Sequence, residues 1–247
     1  MTSDTIIAFD LYGTLLSTAS IATELATHFG DKKAESIAAL WRRYQLEYTF
    51  RMVSMDTYKS FDKVTASSLD HALAEAQVTL SASDKAELLK AYDSLSIFPE
   101  VESTLRSLQK DSTIYACVFS NGTDAMVNSS VKKSPSLSPL SSVFKDLITV
   151  EEVKTYKPSP KVYHHLARKV GKSNSKEDMA SMWLVSGNPF DIVGARAAGM
   201  NSAWVDRAGN GWLDRLGTIV GDGPTIVVKG IDEAVKEIKN RAAKNHS

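Results

Sequence analysis

The sequence predicts an α/β protein: a doubly wound, Rossmann-like parallel sheet with an inserted α-helical cap. Three observations predict it. Short apolar runs alternate with helical stretches, the pattern of a parallel sheet covered on both faces. One long stretch of helical periodicity, 17–96, interrupts that alternation after the first strand. Polar residues gather where the apolar runs end, which in such sheets is where ligands bind.

Taken in order, Thr5 to Leu11 is apolar on both faces and reads as a buried strand that breaks at Gly13 into a polar turn. Asp10 thus falls at the strand's carboxyl end, although an aspartate there also serves simply to cap a turn. In the helical stretch, Ile37, Leu40, Trp41, Tyr44 and Tyr48 recur at helical spacing. Ser81-Ala-Ser-Asp84 ahead of Ala86, Leu88, Leu89 and Tyr92 predicts a capped helix. Phe98-Pro99-Glu100 marks the return to the core, which divides the chain into a core of 1–16 and 97–247 and a cap of 17–96.

A helix near Val101 to Gln109 and a strand from Thr113 to Ser120 follow. Asn128 to Ser142, with Ser-Ser, Lys-Lys and Ser-Pro-Ser-Leu-Ser-Pro, predicts a loop or a short irregular excursion, open to flexibility. Leu147 to Val150, Met182 to Val185, Ser202 to Val205 and Thr225 to Val228 supply further strands. Helical segments near Lys161 to Val170 and Asp191 to Ala198 lie between them, and Ile231 to Lys244 closes the fold as an amphipathic helix.

Composition narrows the function classes. With 43% hydrophobic residues, 247 residues suffice for a substantial core. Lys+Arg and Asp+Glu are both 29, so no general basic field recommends nucleic acid or an anionic membrane as partner. Cys117, the single cysteine, lies in an apolar run; this excludes an intramolecular disulfide and suits a buried residue in a reducing compartment. The N-terminus lacks a secretion pattern and no apolar run reaches membrane-spanning length, so the expectation is a soluble, cytoplasmic protein. His28, His71, His164, His165 and His246 show no zinc-site spacing and read as surface or packing residues.

Three further polar sites stand with Asp10. Ser120-Asn121-Gly122 brings a hydroxyl, an amide and a glycine backbone to the same sheet edge, a donor set suited to an anion, though the tripeptide alone is a common turn. Lys157, fixed by Pro158 and Pro160, would contribute about 4 kcal/mol of Coulomb attraction if it came within about 4 Å of Asp10 at an intermediate dielectric. Ser186-Gly-Asn188-Pro-Phe190-Asp191 leaves a strand and opens a helix, where Asp191 also fits as an N-terminal carboxylate.

Together these residues resemble the haloacid dehalogenase superfamily over nearly the whole chain. Phe9-Asp10-Leu11-Tyr12-Gly-Thr14, Ser120-Asn121-Gly122, Lys157-Pro158 with Tyr163, and Ser186 to Asp191 resemble its L-2-haloacid dehalogenase group, as does Trp41-Arg42 with Gln45-Leu46-Glu47-Tyr48-Thr49 in the insertion. Tyr12 stands where related phosphatases carry a second aspartate. The resemblance implies hydrolytic dehalogenation of short 2-haloalkanoic acids, with water as co-substrate, through an aspartyl ester on Asp10 and inversion at C2. It implies that Lys157 orients the nucleophile, Asp191 helps activate water, Ser186 and Asn188 position these groups and Thr14 supports the Asp10 loop. Ser120 with the amides of Leu11 and Tyr12 would bind the carboxylate, Arg42 and Asn121 the halide, while Tyr12, Leu46, Phe61, Tyr163 and Phe190 would make the pocket apolar. It also implies a homodimer.

The chemistry of the residues agrees at Tyr12. An alkoxide leaving group benefits from a nearby acid, whereas chloride or bromide leaves without a proton, and a phenol with an ordinary pKa of about 10 is a poor acid at neutral pH. Ser186 and Asn188 also stand where a magnesium site would ask for more acid, so no metal and no cofactor is expected. A magnesium-dependent phosphatase and a non-catalytic member of the superfamily remain the alternatives.

Overall fold

The computed structural model describes residues 5–221 and 223–245. Its chain runs β1 (Thr5–Phe9), α1 (Ala22–Phe29), α2 (Asp31–Ser54), α3 (Phe61–Glu75), α4 (Ala82–Ala91), α5 (Val101–Leu108), β2 (Ile114–Ser120), α6 (Asp124–Lys132) and β3 (Asp146–Thr149). It continues through α7 (Pro160–Lys169), α8 (Lys176–Ala180), β4 (Met182–Ser186), α9 (Pro189–Ala197), β5 (Asn201–Val205), α10 (Gly217–Val220), β6 (Ile226–Val228) and α11 (Ile231–Asn245). His246 lies outside the described residues.

The six strands form one parallel sheet in the order β3-β2-β1-β4-β5-β6. β1 is central, which is why Ile6, Ile7, Ala8 and Phe9 are all apolar and buried: both faces are covered. The chain first winds outward from β1 to β3 and then crosses back to β4. Asp10 therefore sits at the point where the winding direction reverses, at the paired carboxyl ends of β1 and β4.

β1 is shorter than its apolar run. After the Asp10 N–H donates to the Val185 carbonyl at 3.0 Å, the chain curls so that the Leu11 carbonyl accepts from Thr14, Leu15 and Leu16. Gly13 at φ +86° makes the curl, and a Cβ there would press on the Asn188 amide at 3.3 Å. Leu11 is buried as a loop residue, so its apolarity reflects tertiary packing and not strand pairing.

The helical excursion leaves and returns through adjacent backbone. Ser17 donates to Ser96 at 2.8 Å, Phe98 to Leu15 at 3.2 Å, and Leu16 bridges Ile97. Within it, Trp41 donates to the Thr65 carbonyl and Gln45 to the Thr65 hydroxyl, joining α2 to α3 through buried polar contacts. α4 is capped as predicted, Ser81 Oγ accepting from the Asp84 N–H at 3.1 Å.

Residues 128–132 correct the expectation of a loop, while 133–143 form the short irregular excursion that was its alternative. α6 runs through Asn128 to Lys132, and a 3₁₀ turn spans Ser138–Val143. Thr123 caps α6, and Met126, Val127, Ser130 and Val131 form its buried face. Leu137, Leu140 and Val143 anchor the rest of the segment. Polar composition masked an apolar face at helical spacing. Cys117 lies buried in β2, and burial pushes its thiol up, away from reactivity. Among the described residues no helix is long and apolar enough to cross a membrane.

Candidate active site

Four loops deliver the site, each from the carboxyl end of a strand. Asp10 follows β1, Ser120 ends β2, Lys157 lies in the connection from β3 to α7, and Ser186 ends β4. The two oxygens of Asp10 are treated unequally. Oδ2 accepts from Asn188 Nδ2 at 2.7 Å, Thr14 Oγ1 at 2.8 Å and Ser186 Oγ at 3.3 Å. Oδ1 accepts from Lys157 Nζ at 3.1 Å.

The holders of Asp10 are themselves held. Thr14 Oγ1 also accepts from the Gly187 N–H at 2.9 Å, and Ser186 Oγ accepts from the Asn188 N–H at 3.1 Å. Asn188 Nδ2 donates in addition to the Tyr12 carbonyl at 2.9 Å. This interlock needs the β1 and β4 loops to touch, and a Cβ at Gly187 would lie only 2.5 Å from the Gly13 carbonyl oxygen. Glycine is required there for close approach of backbone to backbone.

Lys157 Nζ is buried with three acceptors: Asp10 Oδ1, the Phe119 carbonyl at 2.8 Å and Asp191 Oδ2 at 2.8 Å. It also sits 4.2 Å from the centroid of the Phe119 ring. An ammonium carries three donors, so this one is saturated. Asp191 receives Lys157 on Oδ2 and the Tyr163 hydroxyl on Oδ1 at 2.8 Å. Burial raises the Asp191 carboxyl to about 6, with Lys157 pulling the other way and the Asp10 charge adding to the rise. Burial and then the Asp191 charge push the Tyr163 phenol well above its ordinary value, so it stays a donor.

The opposite side of the site comes from α2. Arg42 Nη2 donates to the Tyr12 carbonyl and to Asn188 Oδ1, both at 3.2 Å. Asn121 gives its Oδ1 to the Lys157 N–H at 3.0 Å, and among the described residues its Nδ2 meets no acceptor. The backbone N–H groups of Leu11 and Tyr12 likewise meet no acceptor among the described residues, and Ser120 Oγ, accepting from Gly122, lies on the neighbouring strand end. Tyr12 stacks on Phe61 at 6.1 Å and lies 5.6 Å from Tyr92, while its hydroxyl reaches toward Ser130 at 3.5 Å. Burial pushes that phenol up as well. Leu46 lies one turn beyond Arg42 on α2, half-buried, and Phe190 packs edge-on against Phe50 of that helix at 5.1 Å.

Of the residues singled out in the sequence, the Asp10, Thr14, Lys157, Ser186, Asn188 and Asp191 set is directly bonded, Tyr163 holds Asp191, and Arg42 reaches the set from the helical excursion. Tyr92 was missed as a site residue. Its ring lies between Tyr12 and Trp41, and its hydroxyl donates to Gln45 at 2.9 Å and faces Arg42. Its helical spacing from Leu88 was visible, but not that this face turns toward Tyr12. Among the described residues no group of three or more His, Cys, Asp or Glu is arranged to hold a metal ion. Between the two buried carboxylates stands the Lys157 ammonium.

Residues 5–199 match the family of haloacid dehalogenase-like hydrolases. An (S)-2-haloacid dehalogenase of Pseudomonas sp. (strain YL) is 34% identical over 204 residues, covering 83% of each chain. An (S)-2-haloacid dehalogenase of Burkholderia cepacia is 32% identical over 202 residues, covering 82% of this chain and 83% of the relative. A solved structure of an L-2-haloacid dehalogenase superposes with a TM-score of 0.81 at 29% identity, covering 96% of this chain and all of the other.

Proposed function

The chain belongs to the haloacid dehalogenase-like hydrolase family, and we propose that it hydrolyses short 2-haloalkanoic acids to 2-hydroxy acids through an ester on Asp10. One observation carries this reading. The group beside the nucleophile is Tyr12, a buried phenol turned toward Ser130, so the leaving group meets no carboxylic acid there and must depart as a weak base. Halide does so; an alkoxide does not.

The asymmetry of Asp10 divides the two half-reactions. Oδ1, with a single donor, is the freer oxygen and attacks C2 from the side opposite the halogen, forming the carbon–oxygen bond as the carbon–halogen bond breaks and inverting that carbon. Halide leaves toward Arg42 and Asn121 Nδ2, whose N–H groups stabilise the departing charge. Oδ2 then becomes the ester carbonyl oxygen. When water adds to that carbonyl, negative charge develops on Oδ2, where Asn188, Thr14 and Ser186 already donate. Asp191 takes one proton of the water as the water's oxygen bonds to the carbonyl carbon. On collapse the bond from that carbon to Oδ1 breaks, and Asp191 returns the proton to Oδ1, which leaves as the hydroxyl of the 2-hydroxy acid. Asp10, keeping Oδ2 and the water's oxygen, loses its remaining proton to solvent. Ser120 with the Leu11 and Tyr12 N–H groups receives the substrate carboxylate throughout.

The excursion 17–96 serves as the cap that brings Arg42, Leu46 and Phe61 over this site, completing an apolar enclosure with Tyr12, Tyr163 and Phe190. A divalent metal does not fit the arrangement. The Lys157 ammonium fills the position between the carboxylates and supplies the positive charge that a cation would bring. Turnover should therefore survive exhaustive chelation.

The deciding experiment is one turnover of 2-chloropropionate in oxygen-18 water with enzyme in excess. Label in the Asp10 peptide is expected, because water attacks the ester at the aspartyl carbonyl. Label in the hydroxy acid alone would mean direct attack of water on C2 and would end the covalent mechanism.

A further inference from the structure

Arg207 lies just beyond the carboxyl end of β5, outside all of the sequence motifs described above. Its guanidinium nevertheless gathers three segments. Nε and Nη2 donate to Glu100 Oε1 at 3.0 and 2.6 Å, and Nη2 donates to the Thr14 carbonyl at 2.8 Å. Its Cζ lies 3.6 Å from the centroid of the Phe98 ring. Phe98 and Glu100 belong to the segment by which the chain returns from the helical excursion. Thr14 belongs to the nucleophile loop, and its hydroxyl donates to Asp10 Oδ2.

We propose that Arg207 is a positioning residue that ties the return segment of the cap to the nucleophile loop, fixing through Thr14 the direction in which Asp10 points. The inference rests on the reading of Asp10 as the nucleophile. The physical basis is a short chain of contacts. Arg207 holds the Thr14 backbone from outside, the Thr14 side chain holds Asp10 from inside, and the Phe98 N–H donates to the Leu15 carbonyl next along the loop. The guanidinium fork serves Glu100 and Thr14 together with its Cζ over the Phe98 ring, and a lysine, a point charge on a different stem, does not reproduce that geometry. The Arg207 and Glu100 side chains are each 21% exposed, so their ion pair is partly sheltered and holds the guanidinium in place, while the Thr14 tether is the contact that reaches the nucleophile loop.

The test compares Arg207→Met, Arg207→Lys and Glu100→Gln in single-turnover halide release from 2-chloropropionate, each rate expressed per folded site, with KM measured alongside. Misdirecting a nucleophile by a fraction of an ångström predicts that Arg207→Met slows the ester-forming step about 30-fold with KM within about threefold, that Arg207→Lys recovers only a small part, and that Glu100→Gln stays within about threefold. A rate for Arg207→Met within about threefold of the parent overturns the proposal, as does a Glu100→Gln defect as large as that of Arg207→Met, which would assign the effect to the ion pair. Amide hydrogen exchange supplies a readout independent of turnover. Faster exchange in Arg207→Met is expected in peptides covering 11–17 and 96–99, where Gly13, Leu16, Ser17 and Phe98 donate their N–H groups. Unchanged exchange there overturns the tether even if the parent protein releases no halide, an outcome that would by itself count against the functional reading only.

Discussion

The loops at the sheet's tip and the helix that covers them are built on opposite terms. Around Asp10, four side chains from three loops converge on two oxygens, and Thr14, Ser186, Asn188 and Lys157 each have a second partner. The covering face of α2 is sparse. It presents Arg42, Leu46 and Phe50 at successive turns, with two 3.2 Å hydrogen bonds from the arginine and a phenylalanine that is 37% exposed. A network with redundant partners holds its members within narrow limits, whereas a few edge contacts constrain a helix face less. On the proposed function, the core would set the reaction and the helix would grade the substrate. Substitutions at the tip should abolish turnover, and those on α2 should only scale it.

The sharpest break of that contrast is Asp10→Asn. Removing the oxygen proposed to attack should lower the initial rate of halide release on the order of 10⁴-fold or more, measured before deamidation can restore the aspartate. A parent-like rate would remove Asp10 from the reaction. Lys157→Met comes next, expected to lose on the order of 10³-fold in kcat while lowering stability by about 3 kcal/mol in urea titration, because it strands two buried carboxylates without their cation. On α2, Arg42→Gln should reduce kcat/KM about 30-fold while stability stays within about 1 kcal/mol, since its bonds lie at a part-buried seam. Collapse of the fold in Arg42→Gln would show that the helix is tied into the structure as firmly as the core.

The contrast also explains what the sequence could reveal. Asp10, Ser120 and Ser186 were legible because a parallel sheet places its strand ends together, so residues far apart in the chain had one common address. Lys157 was legible only as a candidate: its position after a strand was plain, but three acceptors converging on one ammonium are a tertiary fact. Residues 128–132 misled because Asn128, Ser129, Ser130 and Lys132 dominate the composition, whereas Val127 and Val131, one helical turn apart, find the core. Arg207 carried no local signal at all. A lone arginine after a strand acquires meaning only when Thr14 and Phe98 arrive beside it from elsewhere.

Acidity offers a graded test of the core. In the proposed mechanism Asp191 is the base in its ionised form, and burial raises its carboxyl to about 6, so hydrolysis of the ester should fall about tenfold per pH unit below that value. The sign for stability is opposite. Because the folded carboxyl lies above its ordinary 3.8, the folded state binds the proton more tightly, and this group makes the fold more stable as pH falls from about 6 toward 3.8. Activity lost in that window with the urea midpoint maintained would assign the loss to protonation. A flat profile down to pH 5 would remove Asp191 as the base.

The smallest effect belongs to Phe50, and it tests the contrast most directly because Phe50 touches both regions. Its ring meets Phe190, at the start of α9, edge-on at 5.1 Å and 69°. Such a pair contributes about 0.5–1.5 kcal/mol, and the exposure of Phe50 keeps the value for Phe50→Ala near the lower end. None of the atoms bonded to Asp10 belongs to Phe50, so kcat for 2-chloropropionate should stay within about twofold of the parent. What should change is the rim: with the ring gone, the gap between α2 and α9 widens, and the preference for 2-chlorobutyrate over chloroacetate, read as a ratio of kcat/KM, should rise about threefold, the order of effect of one methylene in an apolar pocket. If Phe50→Ala instead depressed kcat for every substrate alike, as strongly as Arg42→Gln, the lid would be holding the nucleophile frame in place, and the division of labour between sheet tip and helix would not stand.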